Sequence, residues 1–122
     1  MSIVVTNSNT LTEIQQVFQD KFPLLKLEFY LNEHLVGEGS AAQNKLNPSL
    51  TIGELRNGDE VTEFSIHGNL KTSTFEESWQ DTFGFSVQVF RKSGNIWLQT
   101  TSTDDWTLSE QQQSAEEYAK PL

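Results

Sequence analysis

The chain has 122 residues, 17 acidic against 8 basic for a net charge of −9 and no cysteine. The charge repels phosphate backbones and argues against a nucleic-acid partner; the missing thiols exclude disulfides, thiolate metal sites and cysteine nucleophiles, and point to the cytoplasm. One core suffices at this length, so a single domain over 1–122 is expected, with neither a membrane span nor a secretory leader expected from its apolar runs.

Ser2 to Thr6 reads as a short strand with Ile3 and Val5 on one face and Val4 on the other, followed by the turn-forming Asn7-Ser8-Asn9. A helix follows, with Thr12 and Gln15 at capping-box spacing and Ile14, Val17, Phe18 and Phe22 on one stripe; Pro23 ends it. From Leu25 to Leu31 the period becomes two, with Leu25, Leu27, Phe29 and Leu31 on one side and Lys26, Glu28 and Tyr30 on the other.

Residues 32–60 form a long connection, expected to be partly ordered. In it, Thr51 to Leu55 has the spacing of one capped helical turn, Gly37 to Gln43 has the composition of a mobile segment, and His34 has no evident partner. The second half repeats the first. Residues 10–22 and 71–83, 61 apart, share Gln19/Gln80, Asp20/Asp81 and Phe22/Phe83. Phe64 and Ile66 occupy the positions of Ile3 and Val5, and His67-Gly68-Asn69 forms the turn. Ser73 and Glu76 have box spacing, and Phe75, Trp79 and Phe83 make the stripe. Beyond Phe83 the register slips by one, because Pro23 has no counterpart, and Phe85, Val87 and Val89 match Leu25, Leu27 and Phe29. A hairpin loop at Arg91 to Asn95 leads into the alternating strand Ile96 to Thr101. The tail, 107–122, opens with a box at Thr107 and Glu110 and carries the weak stripe Leu108, Ala115 and Ala119 with Tyr118 beside it, a helix expected to fray at its end.

Repeat units at about 2–31 and 62–90 predict an α+β two-layer sandwich, a ferredoxin-like duplicated βαβ with an additional C-terminal strand and a C-terminal helix. Residues 32–60 supplying another strand would change the pairing. In the ferredoxin-like arrangement the first strands of the two units are parallel neighbours. Asn7, Ser8, Asn9, His67, Asn69 and Lys71 then gather at one end of the sheet, where two helix N-termini suit a carboxylate or phosphate. The plainer account of these residues is ordinary turns and caps.

Asp104 and Asp105 are adjacent and lack a third ligand type, so no metal is expected, and no catalytic or cofactor-binding signature occurs. Val4, Tyr30, Phe90 and Trp97 face away from the expected core as an aromatic, sparsely charged surface. Its cover would be a second copy, making a homodimer, the C-terminal helix, or a protein or small-molecule partner. The functional expectation is a small non-enzymatic binding or protein-interaction domain that self-associates through this face. The alternative is an anion- or small-molecule-binding domain, or an enzyme, using the turns near His67 and Lys71.

The run Phe85 to Gln111, above all VFRKSGNIWLQTTSTDDW, resembles small bacterial proteins without assigned activity, as do the Phe64 to Gly68 turn and the Ser73 to Phe83 helix. The resemblance covers about half the chain and implies a bacterial source. It transfers no site residue.

Overall fold

A computed structural model describes residues 2–31, 42–56 and 61–119. His34, Gly37 to Ala41 and the tail's last three residues lie outside them. The order is β1 (Ser2–Thr6), α1 (Leu11–Lys21), β2 (Leu25–Tyr30), a 3-10 turn at Ala42–Asn44, α2 (Ile52–Leu55), β3 (Val61–Ser65), α3 (Thr72–Phe83), β4 (Ser86–Ser93), β5 (Ile96–Gln99), a second 3-10 turn at Thr101–Thr103, and α4 (Leu108–Ala119). This is an α+β two-layer architecture.

The strands form two antiparallel sheets, β1-β3 and β2-β4-β5. β1 and β3 are neighbours as expected, but antiparallel, so the parallel pairing of the ferredoxin-like arrangement is replaced. The register explains why. Ile3 pairs with Phe64 and Glu28 pairs with Gln88, and each residue is the other's counterpart in the repeat. A unit set against its copy by a twofold rotation must pair each strand with its own equivalent running the other way. Residues 32–60 do add to this sheet: Lys45 bridges Tyr30 and Leu46 N–H donates to Phe29 O at 2.7 Å. The equivalent bond in the second unit runs from Thr100 N–H to Val89 O at 3.3 Å.

The helix starts differ from the sequence expectation. α1 is capped by Thr10 with Glu13 in a complete capping box, because the Asn7–Asn9 turn closes tightly, Asn9 N–H reaching Thr6 O at 3.1 Å, and lets the helix begin at once. Thr12 Oγ1 donates instead to Pro48 O and Gln15 Nε2 to Leu27 O. For α3 the N-cap is Lys71, which supplies no side-chain cap. The boxes at Thr51/Glu54 and Thr107/Glu110 form as their spacing predicts. Pro23 and Gly84 (φ 85°) follow the long helices.

The buried stripe of α1 is Leu11, Ile14 and Phe18 with the cap residue Phe22, while Val17 falls off it. Phe75, Trp79 and Phe83 are buried as predicted. Trp79 lies 5.3 Å from both Phe29 and Phe64 and 4.1 Å from Phe83, and Phe18 meets Phe75 at 5.4 Å, joining the two helices. Each such ring contributes on the order of 1.5–3 kcal/mol by burial. On α4 the buried residues are Leu108, Gln111 and Ala115; Tyr118 is 73% exposed.

Candidate functional site

The predicted ligand site is divided by the sheet. Because Thr6 pairs with Val61 and Ser2 with Ser65, the chain leaves β1 and β3 at opposite ends of the ribbon. Asn7, Ser8 and Asn9 therefore stand at one end and His67, Asn69 and Lys71 at the other, some four residues or roughly 13 Å away.

The helix N-termini are also in use. In α1, Leu11 N–H donates to Leu50 O and Thr12 N–H to Pro48 O, both at 3.0 Å; in α3, Thr72 N–H donates to Trp106 O and Ser73 N–H to Asp104 O, both at 2.8 Å. A loop from each unit thus crosses the N-terminus of its long helix and takes the donors that an anion would use. The bonds back are equivalent too: Ile52 to Asn9 O and Gly53 to Asn7 O, Leu108 to Leu70 O and Ser109 to Gly68 O. The repeat thus extends to Asn47–Leu55 and Thr103–Gln111. Thr51-x-x-Glu54 and Thr107-x-x-Glu110 were its legible trace. Asn7 itself accepts from Arg56 Nε at 3.0 Å.

The expected interaction surface is divided as well. Val4 is 64% exposed on the β1–β3 ribbon, whereas Tyr30, Phe90 and Trp97 belong to the other sheet. Tyr30 is 3% exposed, and its hydroxyl is pushed up to about 12 by burial and the nearby Glu28. Phe90 and Trp97 remain half-buried on the outer face. α4 does not cover them. Arg91 pairs with the fully buried Leu25 and so points to the inner face, and there Gln111 of α4 accepts from Arg91 Nη1 at 2.6 Å.

What the sequence reading missed on this outer face is its lysines. Lys26 Nζ stands 5.5 Å from the Phe90 ring and 5.0 Å from the Trp97 ring, and Lys92 Nζ 6.0 Å from Trp97. Glu28, nearly buried, is shared by Lys26 at 3.5 Å and Lys45 at 3.3 Å. Two of the chain's eight basic side chains therefore flank the two aromatic rings, and a third, Lys45, shares the one carboxylate among them with Lys26. The period-two pattern places Lys26 on this face, but only the β2–β4–β5 register brings Lys92 and Trp97 beside it.

A buried polar cluster lies on the inner side. Gln111 Nε2 donates to Thr103 O at 2.8 Å and to Thr72 Oγ1 at 3.3 Å, while the Arg91 guanidinium lies 5.2 Å from the Trp106 ring. Next to it Glu76, expected in a cap, is buried and accepts from Val89 N–H at 2.8 Å. Burial above all, opposed by the Val89 bond and aided by the nearby Asp104 and Glu77, pushes its carboxyl up to about 8. A carboxyl poised near neutrality can serve acid–base chemistry. Its counterpart Gln15 also bonds strand backbone, there as an uncharged donor to Leu27 O of β2, so the position is explained by strand-edge capping.

A cleft of about 260 Å³ lies between α4 and the β4–β5 turn, bounded by Leu24, Lys92, Asn95, Ala115 and Tyr118. Among the described residues no three His, Asp or Glu side chains gather as a metal site, and no helix is long and apolar enough to cross a membrane.

The fold and this face define an α+β domain with an aromatic, lysine-bearing sheet surface. No protein-family model, curated protein or solved structure matches the chain.

Proposed function

We propose that the protein is a non-enzymatic interaction domain that docks an acidic polypeptide segment on the outer face of β2-β4-β5. The observation that supports this is Lys26 over both Phe90 and Trp97, with Lys92 and Lys45 beside it. In a chain of net charge −9, a locally basic face favours a partner of opposite sign, and the rings supply apolar area at low entropy cost. A face-to-face homodimer would set these lysines against those of a second copy, so an acidic partner is preferred. A small-molecule or anion site, and an enzyme built on it, would have to rest on His67, Asn69 and Lys71 without Asn7, Ser8 and Asn9. The resemblance to small bacterial proteins and the missing cysteines favour the bacterial cytoplasm.

The test is a panel of peptides rich in Asp and Glu with one aromatic or aliphatic residue, titrated by fluorescence anisotropy. Binding should weaken with salt and fall at least about tenfold, roughly 1.4 kcal/mol, in Lys26→Ala/Lys92→Ala and in Trp97→Ala. Absence of binding, or binding indifferent to both variants, rejects the proposal.

A further inference from the structure

A second surface is made by backbone. Among the described residues β5 pairs with β4 alone, and no further backbone bond among them involves Trp97. Exposed edges are usually guarded by charge, proline or a bulge. The run Ile96-Trp97-Leu98-Gln99-Thr100-Thr101 has neither charge nor proline, and Ile96 and Leu98 are 59% and 39% exposed.

The hairpin geometry says which groups face outward. Ser93 pairs with Ile96 around Gly94 (φ 61°) and Asn95, a two-residue turn with glycine first. The residues closing such a turn bond to each other, and alternation then turns Ile96 and Leu98 toward β4 and Trp97 outward. Thr100, two residues beyond Leu98, keeps this phase with its bond to Val89 O.

We infer that two copies of the chain join by antiparallel pairing of their β5 edges, in a register centred on Trp97. In that register Trp97 faces Trp97 of the second copy and the two exchange both backbone hydrogen bonds. Ile96 faces Leu98 of the second copy, and Leu98 faces its Ile96, so the exposed aliphatic side chains meet on one side of the joined sheet. On the other side the two indoles lie together, each flanked by its own Lys26 and Lys92. Centring on Leu98 would instead set Trp97 against Gln99 and Ile96 against Thr100, and would part both the indoles and the Ile96–Leu98 contacts.

A second copy is the occupant because the strand is self-complementary in this register. The same twofold exchange already joins β1 to β3 and β2 to β4, and an uncharged strand is where two molecules of net charge −9 repel least. A single strand pair buries less than the roughly 1,000 Å² of a stable interface, so the association is weak and concentration-dependent. This inference goes beyond the docking proposal and rests on a different part of β5, its backbone.

Sedimentation and light scattering over a wide concentration range should give a mass rising from one chain toward two. Trp97→Pro removes an outward N–H without touching a β4 bond, and Ile96→Lys charges the edge; each should weaken association at least about tenfold. In the wild type, the Trp97 amide should become protected from exchange as concentration rises. A strictly monomeric wild type, association undiminished in both variants, or an unprotected Trp97 amide in the dimer overturns the inference, and the amide measurement decides even if a variant fails to fold. Ile96→Lys leaves Lys26, Phe90 and Trp97 in place, so peptide docking survives in it and the two proposals fail separately.

Discussion

Glu28 and Gln88 face each other across β2 and β4 and occupy the same position in the two copies of the repeat. Ile3 and Phe64 do the same in the other ribbon, so one local twofold organises both sheets. Where the copies differ, the difference can be tested by making one resemble the other.

Glu76 is such a place. Its carboxyl is raised from 4.5 to about 8 in the fold, chiefly by burial, so the folded protein favours the protonated form. This contribution is fully present below about 4.5 and is lost as pH rises through about 8, at up to roughly 1.4 kcal/mol per pH unit. Glu76→Gln keeps an acceptor for Val89 N–H and removes the titration. Chemical denaturation from pH 5 to 8.5 should show wild-type stability falling relative to the variant; a constant difference across that range would exclude this role for Glu76.

The contact between each crossing loop and its turn carries one glycine, on opposite partners. A Cβ on Gly53 would lie 3.0 Å from both Asn7 Cβ and Asn7 O, and one on Gly68 would lie 2.1 Å from Ser109 Oγ. Gly68→Ala is therefore relieved by Ser109→Gly, whereas Gly53→Ala meets main chain and should cost about 1–3 kcal/mol. Thermal melts of the four proteins of the Gly68/Ser109 cycle check this, and strict additivity would contradict it.

Lys71 occupies the N-cap of α3 without capping it. Lys71→Ser should raise stability by roughly 0.5–1 kcal/mol. A loss in urea denaturation would mean that the ammonium has a structural role of its own.

Gln111 stands where the first copy has Leu55, and it holds Arg91. Gln111→Leu should cost about 2–3 kcal/mol by leaving the guanidinium without this acceptor. Arg91→Met in the same chain should recover much of the loss, measured as the coupling term of a double-mutant cycle. No coupling would show that Arg91 is served by other groups.

Much of the fold was legible because its causes are local. The stripes of Phe75, Trp79 and Phe83, the alternation of Leu25, Leu27 and Phe29, and the boxes at Thr51 and Thr107 each lie within a few residues, the range over which periodicity and capping act. The candidate site was less so. Phe90 and Trp97 were found on the open face because alternation puts them there, but Tyr30 is buried and Val4 belongs to the other ribbon.

By itself the sequence determined a duplicated strand–helix–strand unit, its apolar faces and a net charge that disfavours phosphate. Only the tertiary structure decided that β1 meets β3 antiparallel, which parts Asn7–Asn9 from His67–Lys71, and that Lys26, Phe90 and Trp97 meet on one surface. The physical reason is that strand pairing joins residues distant in sequence, and local periodicity is the same whichever way the second copy is turned against the first.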